Sequence, residues 1–146
     1  MNTWISKKLW LAAAVASISF GAATQAWAES FVMVVNDSVA VQSASISKDE
    51  LKRIYLGQTD SVFGQKINPI SLKDDDAFIT EVLGMNADEL KQYWIKESLK
   101  GGARPPRAMS SADALVLYVQ KKPGTIGYLS KSAAASHSGI KALDVQ

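Results

Sequence analysis

"SSADALVLYVQKKPGTIGYLS" (residues 110–130) decides the class of fold. Leu115, Val116, Tyr118 and Val119 recur at helical spacing, and Ser110 or Ser111 is placed to cap the start, so the first half reads as an amphipathic helix. "KKPG" stops it, because proline cannot continue an α-helix and glycine suits the turn that follows. "TIGYLS" (125–130) then returns as a strand. Strands separated by helices make an α/β layer structure rather than an all-α or all-β one.

The same alternation extends outward from this stretch. "FVMVVND" (31–37) is a continuous apolar run ending at a turn pair, as in a strand buried on both faces. "SVAVQSASI" (38–46) is small and polar, a loop with a short extended piece. In "SKDELKRIYLG" (47–57), Ser47 precedes Glu50 by the capping-box spacing, Leu51, Ile54 and Tyr55 share a helix face, and Gly57 closes the helix. "QTDSVFGQK" (58–66) is turn-rich. "KINPISL" (66–72) is a second strand, which Pro69 marks as short or at an edge. "SLKDDDAF" (71–78) leads into a helix with Phe78, Ile79, Val82 and Leu83 on one face and Gly84 at its end. Asn86, with Glu89 three residues on, starts a third helix carrying Leu90, Tyr93, Trp94 and Leu99. "KGGARPPRAM" (100–109) cannot be helical, with two glycines and a double proline. The tail from residue 131 is weakly patterned, with a last short strand around Ile140–Val145.

The N-terminus carries a separate message. Lys7 and Lys8 precede an apolar run of about 15 residues, short of the roughly 20 that a spanning helix needs. Ala26-Trp27-Ala28 completes the small-x-small pattern of a secretory signal peptide, with cleavage expected after Ala28. The division is therefore residues 1–28 as signal peptide and 29–146 as a single domain with one core. All 14 acidic residues but only 14 of the 16 basic ones lie beyond Ala28, so the mature chain is formally neutral. That gives no support for nucleic-acid or membrane-surface binding. The chain has no cysteine, which excludes disulfides, thiol chemistry and a lipidated cysteine at the cleavage site. A soluble periplasmic location is the expectation.

"ISKDELKRIYLGQ" (46–58) resembles an element of the substrate-binding proteins of phosphate ABC transporters. Residues 87–129 resemble a stretch shared by a short, single-lobe branch of those proteins. The specific pieces are Ile54-Tyr55-Leu56-Gly57, Tyr93-Trp94, Pro105-Pro106 and Pro123-Gly124-Thr125-Ile126-Gly127-Tyr128, in order from about Val34 to Leu129. The resemblance implies a single three-layer lobe like one half of a type II periplasmic binding protein. Such proteins hold their anion between two lobes on a hinge, and the residues after Ala28 have room for one. A lone lobe cannot bury phosphate by the usual hinge closure.

The resemblance also places the family's anion site. Phosphate-binding members carry a Ser-Gly-Thr segment ahead of a helix with a family phenylalanine, where hydroxyls, backbone N–H groups and the helix's positive end converge on the anion. Aligned on Phe78, those positions fall on Leu72, Lys73 and Asp74, so neither hydroxyl survives, and no arginine lies between Lys66 and Ser71. Asp74, Asp75 and Asp76 complement a helix dipole by about 0.3–1 kcal/mol each. They also repel a phosphate, by roughly 4 kcal/mol for like charges 4 Å apart at an effective dielectric near 20. A structural helix start at a lost anion site is the expectation. Metal ligation is not expected, since consecutive helical residues point about 100° apart.

"GGARPPRAMSS" is the remaining anion candidate. Arg104 and Arg107 flank a rigid double proline, and Ser110 and Ser111 stand at the next helix start. A stiff exposed loop with an ordinary serine cap explains the same residues. Tyr55, Tyr93, Trp94, Tyr118 and Tyr128 fall at core spacing. His137 receives no role. "SISK" (45–48) matches a Ser-x-x-Lys pattern, but Ser47 and Lys48 are better explained as a helix start, and no catalytic constellation, cofactor or metal site emerges. Two functions remain open. One is solute binding or sensing linked to phosphate or a similar small anion. The other is an interaction module that has kept the fold and lost the ligand, docking onto a membrane sensor, porin or transporter, or forming a homodimer.

Overall fold

The computed structural model of the chain describes residues 30–146; the signal peptide expected at 1–28 lies outside them. Phe31–Val35 forms β1, with all five side chains buried. Its pleat sends Phe31, Met33 and Val35 to one face and Val32 and Val34 to the other, so a strand without polar alternation lies between two layers. The other strands are β2 (Ser45–Ile46), β3 (Ser61–Val62), β4 (Gln65–Lys66), β5 (Asn68–Leu72), β6 (Arg107–Met109), β7 (Thr125–Ser130) and β8 (Lys141–Val145). Six of them form one mixed sheet in the order β2-β8-β1-β7-β5-β6, and β3-β4 is a separate hairpin. β1 runs antiparallel to β7 and β8, while β5 is parallel to both β7 and β6.

Helices cover both faces. On one side lie α1 (Lys48–Tyr55) and α2 (Asp76–Phe78), the latter continuing as a widened π-type turn over Ile79–Leu83. Leu51, Ile54, Tyr55, Phe78 and Val82 pack there against Phe31, Met33 and Tyr128. On the other side, α4 (Ala112–Lys121) packs Leu115, Val116 and Val119 against Val32, Val34, Ile70 and Leu129, and α5 (Lys131–Ala135) adds Ala133 and Ala134. The three-layer α/β lobe is the architecture expected. Buried Asn36 fastens the end of β1 to the end of α4, its amide donating to the Val119 and Gln120 carbonyls while its oxygen accepts from Ser38 N–H.

The local signals for helix ends hold. Ser47 accepts from Glu50 N–H, and Asn86 and Glu89 make a reciprocal capping box for α3 (Ala87–Leu99). Ser111, not Ser110, caps α4. Gly57 and Gly84 adopt the left-handed conformation just past their helices, with φ of 67° each.

Other details differ from the expectation. β5 is an interior strand despite Pro69. Asn68 N–H donates to Gly124 toward β7, so the position of Pro69 faces β6, whose pairing begins only at Ile70. The missing N–H therefore breaks no ladder bond. Residues 107–109 of the arginine segment form β6. The stretch 58–66 holds the β3-β4 hairpin, closed by Phe63 and Gly64 with φ of 52° and 73°. Leu99 is 83% exposed rather than packed, and Tyr93, Trp94 and Tyr118 are only half-buried.

Candidate functional site

β7, β5 and β6 run parallel, and ligands of open α/β sheets bind beyond the carboxyl ends of such strands. A cleft of about 170 Å³ reaches the carboxyl end of β5 at Ser71 and Leu72, walled by Tyr55, Phe78, Trp94, Pro105, Pro106 and Tyr128. An aromatic cluster makes its floor. Phe78 stacks on Tyr128 at 3.4 Å with planes 6° apart, and Tyr55 meets both edge-on, at 5.1 and 5.3 Å.

Two backbone N–H groups ahead of the helix start are already engaged. Leu72 N–H donates to the Tyr128 hydroxyl at 3.3 Å, and Lys73 N–H donates to the Met109 carbonyl at 2.9 Å. Asp74 turns the chain at φ 55°. Asp75 is the N-cap of α2, accepting from Phe78 N–H at 3.1 Å, and Asp76 is the first helical residue. The aspartates thus have three distinct tasks: turn, cap and dipole partner. The Asp75 carboxylate supplies from within the chain the negative charge that a bound anion would bring to this helix start.

The phenols around the cleft are held neutral. Burial pushes the Tyr128 hydroxyl well up from its ordinary value, and the charge of the neighbouring Asp75 carboxylate raises it further. Tyr55, whose hydroxyl donates to the Ile70 carbonyl at 2.7 Å, is also raised by burial, with Tyr128 contributing. The cleft is therefore apolar and faces an acidic cap. It offers no cation among its lining residues.

The four residues of the arginine segment take separate positions. Arg104 is exposed in the coil before the prolines. Arg107 opens β6 with its guanidinium 5.4 Å from the centre of the Tyr118 ring, a cation–π contact. Ser110 is exposed, while Ser111 uses its hydroxyl to accept from Ala114 N–H at 3.1 Å. Neither arginine takes part in an ion pair among the described residues.

Two features had no signal in the sequence. His137 joins the end of α5 to the first turn of α4: one ring nitrogen lies 2.7 Å from Asp113 and the other 2.8 Å from the Ala133 carbonyl. The Ala133 carbonyl and then the Asp113 carboxylate raise its pKa. α3 has no buried residue and turns Ile95 (44% exposed) and Leu99 (83% exposed) outward, beside Trp94. Among the described residues no group of three or more His, Cys, Asp or Glu is placed to hold a metal ion. No helix of the described residues is long and apolar enough to cross a membrane.

No family model matches the chain, and no curated protein matches it by sequence. Solved structures do match. An ABC-type phosphate transport receptor from Vibrio cholerae aligns with a TM-score of 0.53 at 18% identity, over 80% of this chain and 46% of its own. PstS from Borrelia burgdorferi aligns at 0.56 and 16% identity, over 81% and 47%. A protein described as a possible phosphate binding protein from Planctomyces limnophilus gives 0.55 and 17%, over 81% and 42%. The chain spans less than half the length of these proteins, and its three-layer lobe has the fold of that portion of phosphate ABC transporter substrate-binding proteins.

Proposed function

We propose that the chain is a non-enzymatic, periplasmic solute-binding-protein-like lobe that serves phosphate or similar small-anion handling as an interaction module and does not itself enclose the anion. One observation carries this reading. At the helix start where the related fold would receive an anion, the Leu72, Lys73 and Phe78 N–H groups are bonded to Tyr128, Met109 and Asp75, and the Asp75 carboxylate is already in place. A phosphate there would have to displace internal hydrogen bonds and also approach like charge. The outward Ile95 and Leu99 of α3 support docking, because large apolar side chains exposed together beside a cleft favour a protein partner. Fold neighbours that handle phosphate support the physiological setting, and the N-terminal signal pattern supports export to the periplasm. Titration calorimetry with phosphate, sulfate and small carboxylates is expected to give no heat and no thermal stabilisation. A stoichiometric micromolar isotherm would refute the reading.

A second reading has its own supporting observation. Arg104, Arg107 and Ser110 are exposed, and neither arginine has an ion-pair partner among the described residues, which leaves them able to meet a small anion at the surface. On that reading any weak phosphate binding disappears in an R104A/R107A variant and is indifferent to Asp75.

A further inference from the structure

We propose that the open edge of β6, together with the groove beside it on α4, is a docking site for an extended acidic segment of a partner protein, taken up as an added strand. The inference rests on the interaction reading above and gives the partner its chemistry.

β6 is the outermost strand of the sheet, so one of its edges has no neighbour among the described residues. Along a parallel pair, alternate residues direct their backbone groups to the same partner. The Met109 carbonyl accepts from Lys73 N–H, which aims Met109, and by alternation Arg107, at β5. The N–H and C=O of Ala108 between them therefore face the open edge, and Ala108 is exposed. Such an edge can pair with an incoming chain, and peptide-binding domains use it that way.

The side chains flanking this edge supply specificity. Met109, Ala114, Leu117, Tyr118, Lys121 and Lys122 line a groove of about 260 Å³, and Leu117 is 50% exposed. A strand laid beside β6 would send every second side chain toward this apolar floor. The rim is basic: Lys121 and Lys122 line it, and Arg107 lies over Tyr118. No acidic residue lines the groove, and none of these three cations is in an ion pair among the described residues.

Charge selects the occupant. A segment whose inward side chains are apolar in the middle and acidic at both ends matches both floor and rim. A second copy of the chain presenting its own β6 edge would bring two sets of Arg107, Lys121 and Lys122 together, which opposes self-pairing. Pro105 and Pro106, which have no N–H to offer, end the open edge on its N-terminal side, so the site accepts a short segment and resists extended aggregation.

The test uses a fluorescein-labelled synthetic peptide, Glu-Ser-Val-Ser-Val-Ser-Glu, whose alternate residues carry the valines and the terminal carboxylates on one face, and fluorescence anisotropy at low and high salt. Saturable binding is expected, weakened at least tenfold by K121E/K122E and abolished when the acidic residues of the peptide are replaced by lysine. Ala108→Pro removes the outward N–H without breaking a ladder bond to β5, and should weaken binding at least tenfold while the circular dichroism spectrum stays unchanged. Should that variant misfold, N-methylation of alternate peptide residues removes the pairing without touching the protein and should have the same effect. Equal binding of the acidic and lysine peptides, or indifference to N-methylation, overturns the proposal. Phosphate calorimetry on the same sample judges the interaction reading independently. A silent titration beside a non-binding peptide rejects this surface alone, whereas micromolar phosphate binding rejects the reading beneath it.

Discussion

Replacing Asp75 separates its charge from its hydrogen bonds. In Asp75→Asn the side-chain oxygen still accepts from Phe78 N–H and still faces the Tyr128 hydroxyl, so only the charge at the start of α2 is lost, worth about 0.5 kcal/mol. Asp75→Ala also removes the cap, at about 1 kcal/mol. It leaves the largely buried Tyr128 hydroxyl without its acidic neighbour, at about a further 1 kcal/mol. Urea unfolding should therefore show Asn within about 0.5 kcal/mol of wild type and Ala about 2–3 kcal/mol below it. At roughly 4 °C per kcal/mol for a domain of this size, the alanine variant melts about 8–12 °C lower. Phosphate provides the sharper discrimination. If charge alone kept phosphate out, the Asn variant would gain binding. The occupied Leu72 and Lys73 N–H groups predict no gain, so millimolar phosphate should leave the melting temperature of Asp75→Asn unchanged. A phosphate-dependent rise in that variant would refute the claim that internal hydrogen bonding closes the site.

Alkaline unfolding should report the two buried phenols. Both are raised in the folded state, so their stabilisation is complete below the unfolded pKa near 10 and is lost as pH climbs toward the folded values. Stability should fall above pH 10 by up to about 1.4 kcal/mol per pH unit for each tyrosine, and Tyr55→Phe should halve that slope in urea titrations; parallel slopes would count against it. Gly57→Ala puts a Cβ into Ala103 at a φ of 67° and within 3.4 Å of Trp94, and should cost about 2–4 kcal/mol by urea unfolding. Thr125 is fully buried and its hydroxyl has no hydrogen-bond partner among the described residues, so Thr125→Val should raise stability by about 1 kcal/mol, read as a higher urea midpoint at unchanged slope.

The parts of this fold that the sequence announced are those decided within a few residues. The Ser47, Asn86 and Ser111 caps, the left-handed Gly57 and Gly84 and the doubly buried β1 each depend on immediate neighbours. The parts it hid depend on remote partners. Pro69 is tolerated in an interior strand because β6 begins one residue later, 37 positions along the chain. The hairpin turn uses Phe63 with positive φ where asparagine or aspartate is usual, so the turn-rich stretch 58–66 carries no specific hairpin signal. α5 is a five-residue helix of mostly small residues, too short for a periodic pattern. At the candidate site, the sequence located three carboxylates at the start of α2. It could not show which one caps, nor that Tyr128, 56 residues from Leu72, takes the N–H beside them.

That distribution bears on how the lobe can work. A helix start left with free N–H groups is stabilised when an anion arrives, by an amount that grows with ligand concentration, and this linkage lets a binding protein shift its conformational population with its solute. Here the Phe78 N–H is satisfied by Asp75 and the adjoining Leu72 and Lys73 groups by Tyr128 and Met109. On the interaction reading, phosphate finds these three groups occupied in the conformation described, and a ligand without differential affinity moves no equilibrium. On that reading a change of state originates in contacts with another macromolecule. The surfaces available for such contacts are the outward apolar side of α3 and the basic groove at the β6 edge, where Leu99, Ile95 and Leu117 remain exposed.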